Sequence, residues 1–509
     1  MMFDHCTLLF LFSSAATVQA EQSASGGSGG SGLGGSGSGS GAETPIHILF
    51  ILVDDLGWFD VGWNGAEIKT PVLDQLAREG VTLTQSYVPS VCTPTRGAIM
   101  SGRYPYHIGL QRGGIRPTRP FGLPLNITTI AQRLQTAGYS THAIGKWHLG
   151  FCKWDYTPCE RGFDTFFGFY GGGQDHYTHR KKYHSKVFHG ARVSGLDFRR
   201  NRRLVTNING TYSMEAFAAE AIRLISEHDK HTPMYMYLSL QAVHGPLQAP
   251  KRFVDMYKEI KNKNRHMKAA MVTAMDEAIG NITAALEKAE MWNDTLIVFT
   301  TDNGGPVNSG SSNWPLRGSK ATLWEGGHRG AAFVHGKMLN KTGYVYNGMI
   351  HTVDWYPTLL SLAGVNVDDT DLDGMNVWDA ISNNKSSPRQ SFVYNLLLTD
   401  ETLSGGIRFN NWKLLVNPRS RRSEWYNPAN ASFPELFRKP LSDTLLFDLD
   451  ADPTEHHNLA STKTDVLAMM MSRLNEAMES YVPDLIKQNP ETAKSNPANF
   501  GDAWSPGWC

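Results

Sequence analysis

Two pairs of oxygen-bearing side chains follow two apolar runs, each at the point where the run ends. The run Ile46 to Val53 is followed by Asp54-Asp55, and the run Leu296 to Thr301 by Asp302-Asn303. Three carboxylates and one amide suit Ca²⁺ or Mg²⁺, whereas zinc favours His or Cys. Either pair alone fits a turn or helix-cap role equally well. Two pairs at two strand ends favour a site for a hard divalent cation.

Basic side chains follow two further apolar runs. Tyr139 to Ile144 leads into Lys146 and His148, and Met234 to Leu240 leads into His244. Because the carboxyl ends of parallel strands share one edge of a sheet, we expect these side chains beside the acidic pairs. A lone His in either loop is more often structural. Beside a cation they predict an anion-binding pocket in which an imidazole moves protons near neutral pH.

Cys92 is the candidate nucleophile. It precedes Thr93, a good helix N-cap, and Pro94, a good first helical residue, so we expect Cys92 immediately before a helix. The N–H groups at such a helix start attract anions, and Arg96, about one turn further on, can reach back toward Cys92. This setting suggests a reactive thiolate. A buried or disulfide-bonded cysteine is the structural alternative.

Alternating apolar runs and amphipathic patterns must position these residues. From residue 44 to about residue 400 the alternation is typical of an α/β domain with a mostly parallel sheet. Beyond it, Ile407 to Val416 and Thr444 to Leu449 predict strands of an antiparallel sheet, and the apolar residues between Val466 and Tyr481 share one helix face. We therefore predict a catalytic domain over 44–400 and a smaller C-terminal α+β subdomain over 401–509.

The N-terminal segment has the pattern of a secretory signal followed by a tether. Over residues 1–20 an apolar run ends in Val18-Gln19-Ala20, which suits signal peptidase, although the lack of Lys or Arg before it leaves an uncleaved anchor open. Residues 21–43 are rich in Gly and Ser and predict a flexible segment. Seven N-x-S/T sequons favour a glycosylated secretory product, secreted or lysosomal, with no stable membrane insertion.

The composition excludes several classes of protein. With 509 residues and 41% hydrophobic content, the chain can bury a large core. Lys+Arg and Asp+Glu both number 48, so the chain lacks the global basic field of nucleic-acid binders, and we expect no nucleic-acid partner. The five cysteines are too few for a disulfide scaffold and lack the C-x-x-C spacing of a structural zinc site. Any charge-driven function must therefore be local.

The segment Cys92-Thr93-Pro94-Thr95-Arg96-Gly97 resembles the C-x-P-x-R signature of the type I sulfatases. The resemblance covers residue 44 to about 500 and implies an alkaline-phosphatase-like fold. Within the family, the chain is most similar to the arylsulfatase B group, which includes N-acetylgalactosamine-4-sulfatase. The other matching motifs are Asp54-Asp55-Leu56-Gly57-Trp58, Gly145-Lys146-Trp147-His148, Asp302-Asn303-Gly304-Gly305 and Leu323-Trp324-Glu325-Gly326-Gly327.

The resemblance implies a role for each candidate residue. A formylglycine-generating enzyme would oxidise Cys92 to formylglycine, whose hydrated aldehyde, a gem-diol, is the nucleophile that attacks a sulfate ester. Ca²⁺ would be held by Asp54, Asp55, Asp302, Asn303 and the modified Cys92. Arg96 and Lys146 would orient the gem-diol, and His148 would be the base that later collapses it. His244 and Lys320 would grip the sulfate and help the leaving oxygen, although Lys320 alone has the pattern of a solvated lysine.

The sequence departs from the family pattern at two places. Thr95 stands where Ser or Ala is usual, and its added methyl group is small. The segment Arg112 to Pro124 contains no cysteine, which leaves Cys509 without its expected partner, and Cys152 is then expected to pair with Cys159. Arginine patches at residues 199–203 and 419–422 are interpreted as solvated surface, with contact to a sulfated polymer as the alternative.

The predicted function is hydrolysis of sulfate esters on glycans, such as N-acetylgalactosamine 4-sulfate units. Two other functions stay open. One is a phosphatase or phosphodiesterase on the same scaffold. Such relatives usually have a Ser or Thr nucleophile and two zinc ions, which the four oxygen ligands argue against. The other is a non-catalytic protein that binds sulfated glycans, which the complete set of expected catalytic residues disfavours. Loops at residues 171–182 and 308–315 are expected to select the alcohol.

Overall fold

The computed structural model describes residues 46–367, 370–399, 401–418, 422–427 and 441–509. The predicted signal and Gly/Ser-rich tether, residues 1–43, lie outside the described residues, as does Arg419 to Arg421 of the second arginine patch. The described residues form a large sheet with helices on both faces and a smaller antiparallel sheet.

The strands, numbered in chain order, are β1 His47–Val53, β2 Val81–Leu83, β3 Ser86–Tyr87, β4 Ser140–Lys146, β5 Thr165–Phe169, β6 Arg180–His184, β7 Arg192–Leu196, β8 Arg199–Arg200, β9 Arg203–Leu204, β10 Met234–Leu240, β11 Thr295–Thr301, β12 Ala332–His335, β13 Tyr344–Tyr346, β14 Ile350–His351, β15 Ser391–Thr399, β16 Thr402–Phe409, β17 Trp412–Val416 and β18 Thr444–Asp448. The α-helices are α1 Pro71–Glu79, α2 Cys92–Ser101, α3 Ile130–Thr136, α4 Ser213–Glu227, α5 Lys251–Val254, α6 Lys263–Lys288, α7 Glu325–His328, α8 Trp355–Leu362, α9 Trp378–Asn383, α10 Thr464–Met478 and α11 Leu485–Gln488.

The large sheet is mixed but parallel at its centre. Its strand order is β13-β2-β12-β11-β1-β10-β4-β5-β8-β9, and the central strands β11, β1, β10, β4 and β5 run parallel. Every residue of β1, β10 and β11 is buried, as expected of parallel strands covered on both faces. The predicted mostly parallel α/β sheet is confirmed.

Alternate side chains of β1 enter two separate cores. Leu49, Ile51 and Val53 pack with residues of α4 and α6 on one face of the sheet. Ile48, Phe50 and Leu52 pack with residues of α2, α3 and α8 on the other. The sheet is therefore the middle of three layers, and its carboxyl edge is left for loops.

The smaller sheet has the order β15-β16-β17-β18, with every neighbouring pair antiparallel. Helix α10 covers it, and Met470 and Leu474 are its buried residues. The predicted C-terminal antiparallel sheet with a helix is confirmed. Strand β15 was not predicted and lies before residue 400, and the domain limits themselves stay a prediction.

One predicted disulfide is wrong. Cys152 is bonded to Cys509, with 5.5 Å between the Cα atoms, and not to Cys159, which is itself disulfide-bonded. The reason is the path of the last residues, which run beside β7: the N–H of Trp504 donates to the carbonyl of Leu196 over 2.9 Å, and that of Gly507 to the carbonyl of Cys152 over 2.8 Å. Cys509 thereby reaches Cys152 from 357 residues away.

The first arginine patch is largely engaged within the molecule. Arg199 is buried, and Arg200 and Arg202 form ion pairs with Glu220 and Glu160. No helix among the described residues is long and apolar enough to cross a bilayer.

Candidate active site and metal centre

The carboxyl edge of the parallel sheet brings most of the candidate residues together. Asp54 and Asp55 follow β1, which lies between β11 and β10. The ends of β1 and β11 are in register, since Val53 pairs with Thr301, so Asp302 and Asn303 lie beside the first acidic pair. Lys146 is the last residue of β4, and His244 follows β10. Four neighbouring strands thus deliver acidic, amide and basic groups to one edge.

A cluster of oxygen donors surrounds Cys92. Ligand atoms of Asp54, Asp55, Cys92 and Asp302 lie within 4.8 Å of one another, and all four residues are buried. The side-chain amide of Asn303 donates to Asp55 Oδ1 over 2.8 Å, and its own Oδ1 is buried without a hydrogen-bond partner among the described residues. A buried carbonyl oxygen beside three carboxylates is suited to a hard cation. The residues therefore fit Ca²⁺ or Mg²⁺.

Cys92 is the first residue of α2, which differs from the expected start after a Thr93 cap. The Thr93 hydroxyl is engaged elsewhere: it donates to the carbonyl of His148 over 2.9 Å and accepts the N–H of Ile115 over 3.1 Å. Burial, with a further contribution from Asp302, raises the pKa of Cys92 to about 12. The thiol is therefore protonated near neutral pH, contrary to the expected thiolate.

Arg96 is fully buried and holds two strand ends in place. Its guanidinium donates to Asp302 Oδ2 over 2.8 and 3.2 Å, and to the carbonyl of Lys146 over 3.0 Å. Burial opposes its charge, but Asp302 raises the pKa of Arg96 above its usual value. These contacts tie the end of β4 to the end of β11.

Two lysines each pair with a different carboxylate of the cluster. Lys146 Nζ lies 2.6 Å from Asp54 Oδ2 and 4.0 Å from Asp302 Oδ2. Lys320 Nζ pairs with Asp55 Oδ1 and lies 3.2 Å from Cys92 Sγ. Burial opposes the charge of Lys320, but Asp55 raises its pKa well above the usual range. Lys320 is therefore a charged residue of the site and not a solvated lysine.

Two histidines complete the site in their neutral forms. Burial, and then Lys146, hold the pKa of His148 well below its usual value, and burial lowers that of His244 to about 3 although Asp55 opposes this. His148 Nδ1 is buried without a partner among the described residues, so it has a lone pair or proton to exchange. His244 Nε2 lies 3.7 Å from Asp55 Oδ2. Each imidazole is therefore uncharged near neutral pH.

Glycines make room for the His148 ring. A Cβ atom at Gly114 would lie 2.8 Å from His148 Cε1, and one at Gly172 would lie 2.6 Å from His148 Nε2. Both distances are shorter than real Cβ contacts, so larger residues would displace the imidazole. Gly172 lies in one of the two loops that the sequence predicts to line the pocket.

Sequence reasoning missed three residues that support the site. Ser239, near the end of β10, accepts from Arg96 Nη1 and donates to the carbonyl of Lys146 over 2.7 Å. Thr95 donates to the carbonyl of Asp302 over 2.5 Å. Burial, and then the charge of Lys146, lower the pKa of Lys181. The hydroxyl of Ser239 near the end of an otherwise apolar and aromatic strand was the available signal.

The second loop predicted to line the pocket, residues 308–315, stabilises the turn that follows Asp302 and Asn303. Asn313 is buried, and its side chain accepts the N–H of Gly305 over 2.8 Å and donates to the Gly305 carbonyl over 2.9 Å. A Cβ atom at Gly304 would lie 1.9 Å from the carbonyl of Gly326, which accounts for glycine directly after Asn303. These contacts fix the turn that presents Asp302 and Asn303.

Comparisons with known proteins identify relatives of this chain. The Sulfatase family model matches residues 46–365. The chain is 40% identical to arylsulfatase J of Mus musculus over 487 residues, which covers 90% of this chain and 80% of the relative. It is 26% identical to N-acetylgalactosamine-6-sulfatase of Mus musculus, with 92% of each covered. The crystal structure of Ps i-CgsB in complex with k-i-k-neocarrahexaose is 29% identical, with a TM-score of 0.73 over 86% of this chain and 94% of that chain.

Proposed function

This chain belongs to the sulfatase family and is a sulfatase, and from that premise we propose that it cleaves sulfate esters of glycans through a formylglycine made from Cys92 and one Ca²⁺ held beside it. The comparisons confirm the predicted family. The narrower likeness to the arylsulfatase B group stays a prediction, because the relatives found include other sulfatases.

The surroundings of Cys92 carry the proposal. Its buried thiol has a pKa of about 12 and lies among carboxylates, with Asp54 Oδ1 3.5 Å from Sγ. A protonated thiol is a poor nucleophile, so the unmodified residue is ill suited to attack a sulfate ester. Conversion to formylglycine supplies a hydrated aldehyde hydroxyl at this position instead. We propose that a formylglycine-generating enzyme performs the conversion while the chain passes through the secretory pathway, toward a secreted or lysosomal destination.

The oxygen cluster is proposed to hold the metal ion. Asp54, Asp55, Asp302 and Asn303 supply three carboxylates and one amide oxygen, the donor set that Ca²⁺ prefers. Bound there, Ca²⁺ supplies positive charge next to the oxygens of a sulfate group. Arg96 is a positioning residue in this scheme, since its hydrogen bonds go to Asp302 and to the end of β4.

The remaining side chains bind the sulfate and move protons. Lys320 Nζ lies 3.2 Å from Cys92 Sγ, and Lys146 Nζ pairs with Asp54, which Cys92 also contacts. Both ammonium groups are proposed to hold the nucleophile and the sulfate. His244, with Lys320, is proposed to assist the leaving oxygen. His148 Nδ1 is buried without a partner among the described residues, and we propose this imidazole as the acceptor of the proton from the second hydroxyl of the nucleophile. After the first hydroxyl has bonded to sulfur and the alcohol has left, loss of that proton forms the aldehyde C=O bond as the carbon–oxygen bond to sulfate breaks and sulfate leaves.

The proposed substrate is a sulfated glycan, with N-acetylgalactosamine 4-sulfate units as the leading example. A relative that covers 92% of this chain is named an N-acetylgalactosamine-6-sulfatase, which supports an amino sugar sulfate as the class. The Ps i-CgsB complex, at 29% identity, holds a neocarrahexaose, which supports an oligosaccharide.

Two aryl esters with the same leaving group test the reaction. We expect calcium-loaded enzyme to hydrolyse 4-nitrophenyl sulfate much faster than 4-nitrophenyl phosphate. The opposite order would favour the phosphatase alternative, and binding of sulfated sugars without any turnover by formylglycine-containing protein would favour the non-catalytic one.

His148→Gln should lower kcat by about 10²–10⁴. The exposed His457→Gln is the matched control and should leave kcat unchanged.

A further inference from the structure

A cavity of 580 Å³ is lined by chain neighbours of the catalytic residues. Val91 and Ala321 line it, and they are the chain neighbours of Cys92 and Lys320. Gly113 lines it as well, next to Gly114, which lies against the His148 ring. The cavity is therefore adjacent to the catalytic residues, and we take it as the space for the alcohol part of a sulfate ester.

The walls of this first cavity are polar but almost uncharged. Its side chains include hydroxyls and amides, which both donate and accept hydrogen bonds and so suit sugar hydroxyl groups. Arg112 is the exception. The hydroxyl and amide residues include Ser90, Gln111, Asn395, Thr402, Ser404 and Asn417.

A second cavity, of 830 Å³, continues from the first. Arg112 and Thr399 line both, and Arg112 Nη2 donates to Thr399 Oγ1 over 2.8 Å at the junction. Unlike the first cavity, the second is strongly basic. Five cationic side chains line it, against one carboxylate, that of Glu491. Its cationic residues are Arg112, Arg116, Arg119, Lys186 and Lys487.

Two of these arginines are held in place by the protein itself. Arg112 Nε pairs with the buried carboxylate of Asp484. Arg119 donates to the carbonyls of Ile486 and Asn489 over 2.7 and 2.6 Å. A guanidinium that is already positioned loses less freedom on binding an anion, and its planar donors match the oxygens of sulfate or carboxylate. In a chain with zero formal net charge, this concentration of positive charge points to an anionic ligand.

We propose that the two cavities form one cleft for a polyanionic oligosaccharide. The uncharged half holds the sugar that bears the cleaved sulfate, and the basic half binds a further anionic group on the same chain, a sulfate or a carboxylate. This inference rests on the proposed function and deepens it, because it makes the preferred substrate a multiply charged glycan chain instead of a single sulfated sugar.

Binding and hydrolysis are measured separately to test the cleft. Binding is measured by calorimetry on full-length Cys92→Ala protein, which cannot turn over, with a chondroitin 4-sulfate hexasaccharide, the same hexasaccharide without sulfate, and N-acetylgalactosamine 4-sulfate as probes. The test variant adds Arg116→Gln, Lys186→Gln and Lys487→Gln, all at exposed positions of the basic half. The control adds Lys258→Gln, Lys261→Gln and Lys288→Gln, which remove the same charge at exposed positions outside both cavities.

The expected result is a rise of at least about tenfold in the Kd of the sulfated hexasaccharide for the test variant, with no change for the control or for the monosaccharide. A matching rise for the desulfated chain would identify carboxylates as the second anion, and no such rise would identify sulfate. Equal hexasaccharide affinity in the test and control variants would overturn the cleft. Hydrolysis of 4-nitrophenyl sulfate by protein with Cys92 reports on the proposed function independently.

Discussion

At the scale of single residues, the charges around Cys92 are arranged in compensating pairs. Lys146 lies 2.6 Å from Asp54, Lys320 pairs with Asp55, and Arg96 lies 2.8 Å from Asp302. Buried charges of this kind are tolerated only when they are paired. Once the carboxylates hold a cation, the two ammonium groups become available to an anion. We therefore expect metal and sulfate binding to strengthen each other.

The unpartnered oxygen of Asn303 gives a test of the metal site. Asn303→Ala removes this oxygen, so we expect weaker binding of Ca²⁺. The measurement is the melting temperature of chelator-treated protein against calcium concentration, because an ion that binds the folded state stabilises it by about 2.7 kcal/mol at 100 times its Kd. The variant should need more calcium for the same rise. The exposed Asn499→Ala is the control, and an unchanged calcium dependence in Asn303→Ala would contradict the assigned ligand.

At the scale of elements, buried parallel strands were the most predictable feature. Such strands are covered on both faces, so they stand out as continuous apolar runs, and β10 has the same limits as the run Met234 to Leu240. The residues that follow these runs were therefore placed correctly at one edge. Strand β15 was missed because Asn395 has a positive φ of 51° and the register shifts between Tyr394 and Leu397, which breaks the alternation.

A buried ion cluster joins the two sheets. Lys413 on β17 lies 2.9 Å from Glu325 of α7 and 2.7 Å from Glu455. Burial disfavours the charge of Glu325, but Lys413 lowers its pKa to about 2. Burial raises the pKa of Glu455 to about 7, although Lys413 opposes the shift. One lysine therefore balances one carboxylate near neutral pH, and Glu455 takes up a proton more readily in the folded state.

Glu455→Gln tests this cluster through the pH dependence of stability. Because the pKa of Glu455 is raised on folding, its contribution is fully present below pH 4.5 and is lost as the pH rises toward about 7. The Gln variant cannot ionise, so its free energy of unfolding relative to wild type should increase across that interval, by roughly 1–3 kcal/mol. Denaturant unfolding at several pH values measures the difference. A flat difference, as expected for the exposed control Glu479→Gln, would show that Glu455 does not titrate in this way.

At the scale of the whole molecule, the last residues fasten the end of the chain to the two-stranded sheet of β6 and β7. Trp504 is fully buried, and its indole donates to the carbonyl of Lys181 over 2.9 Å. Lys181 lies on β6, so the tail holds this strand in place. The sequence could not predict this arrangement or the Cys152–Cys509 bond, because both depend on contacts between residues hundreds of positions apart.

Removal of that disulfide tests the role of the tail. Cys152→Ala combined with Cys509→Ala opens a link across 357 residues, and we expect a loss of roughly 2–5 kcal/mol in stability because the unfolded chain regains freedom. Calorimetry of the double variant measures the change. A melting temperature equal to that of the wild-type protein would mean that the hydrogen bonds of residues 504–508 hold the tail without the bond.

The central claim is that position 92 functions as formylglycine. The most direct measurement is mass spectrometry of the peptide that contains residue 92, from protein produced in secretory cells, together with the rate on 4-nitrophenyl sulfate for the same sample. We predict that the peptide carries formylglycine and that the rate rises in proportion to the converted fraction. An unmodified cysteine in fully active protein would contradict the account.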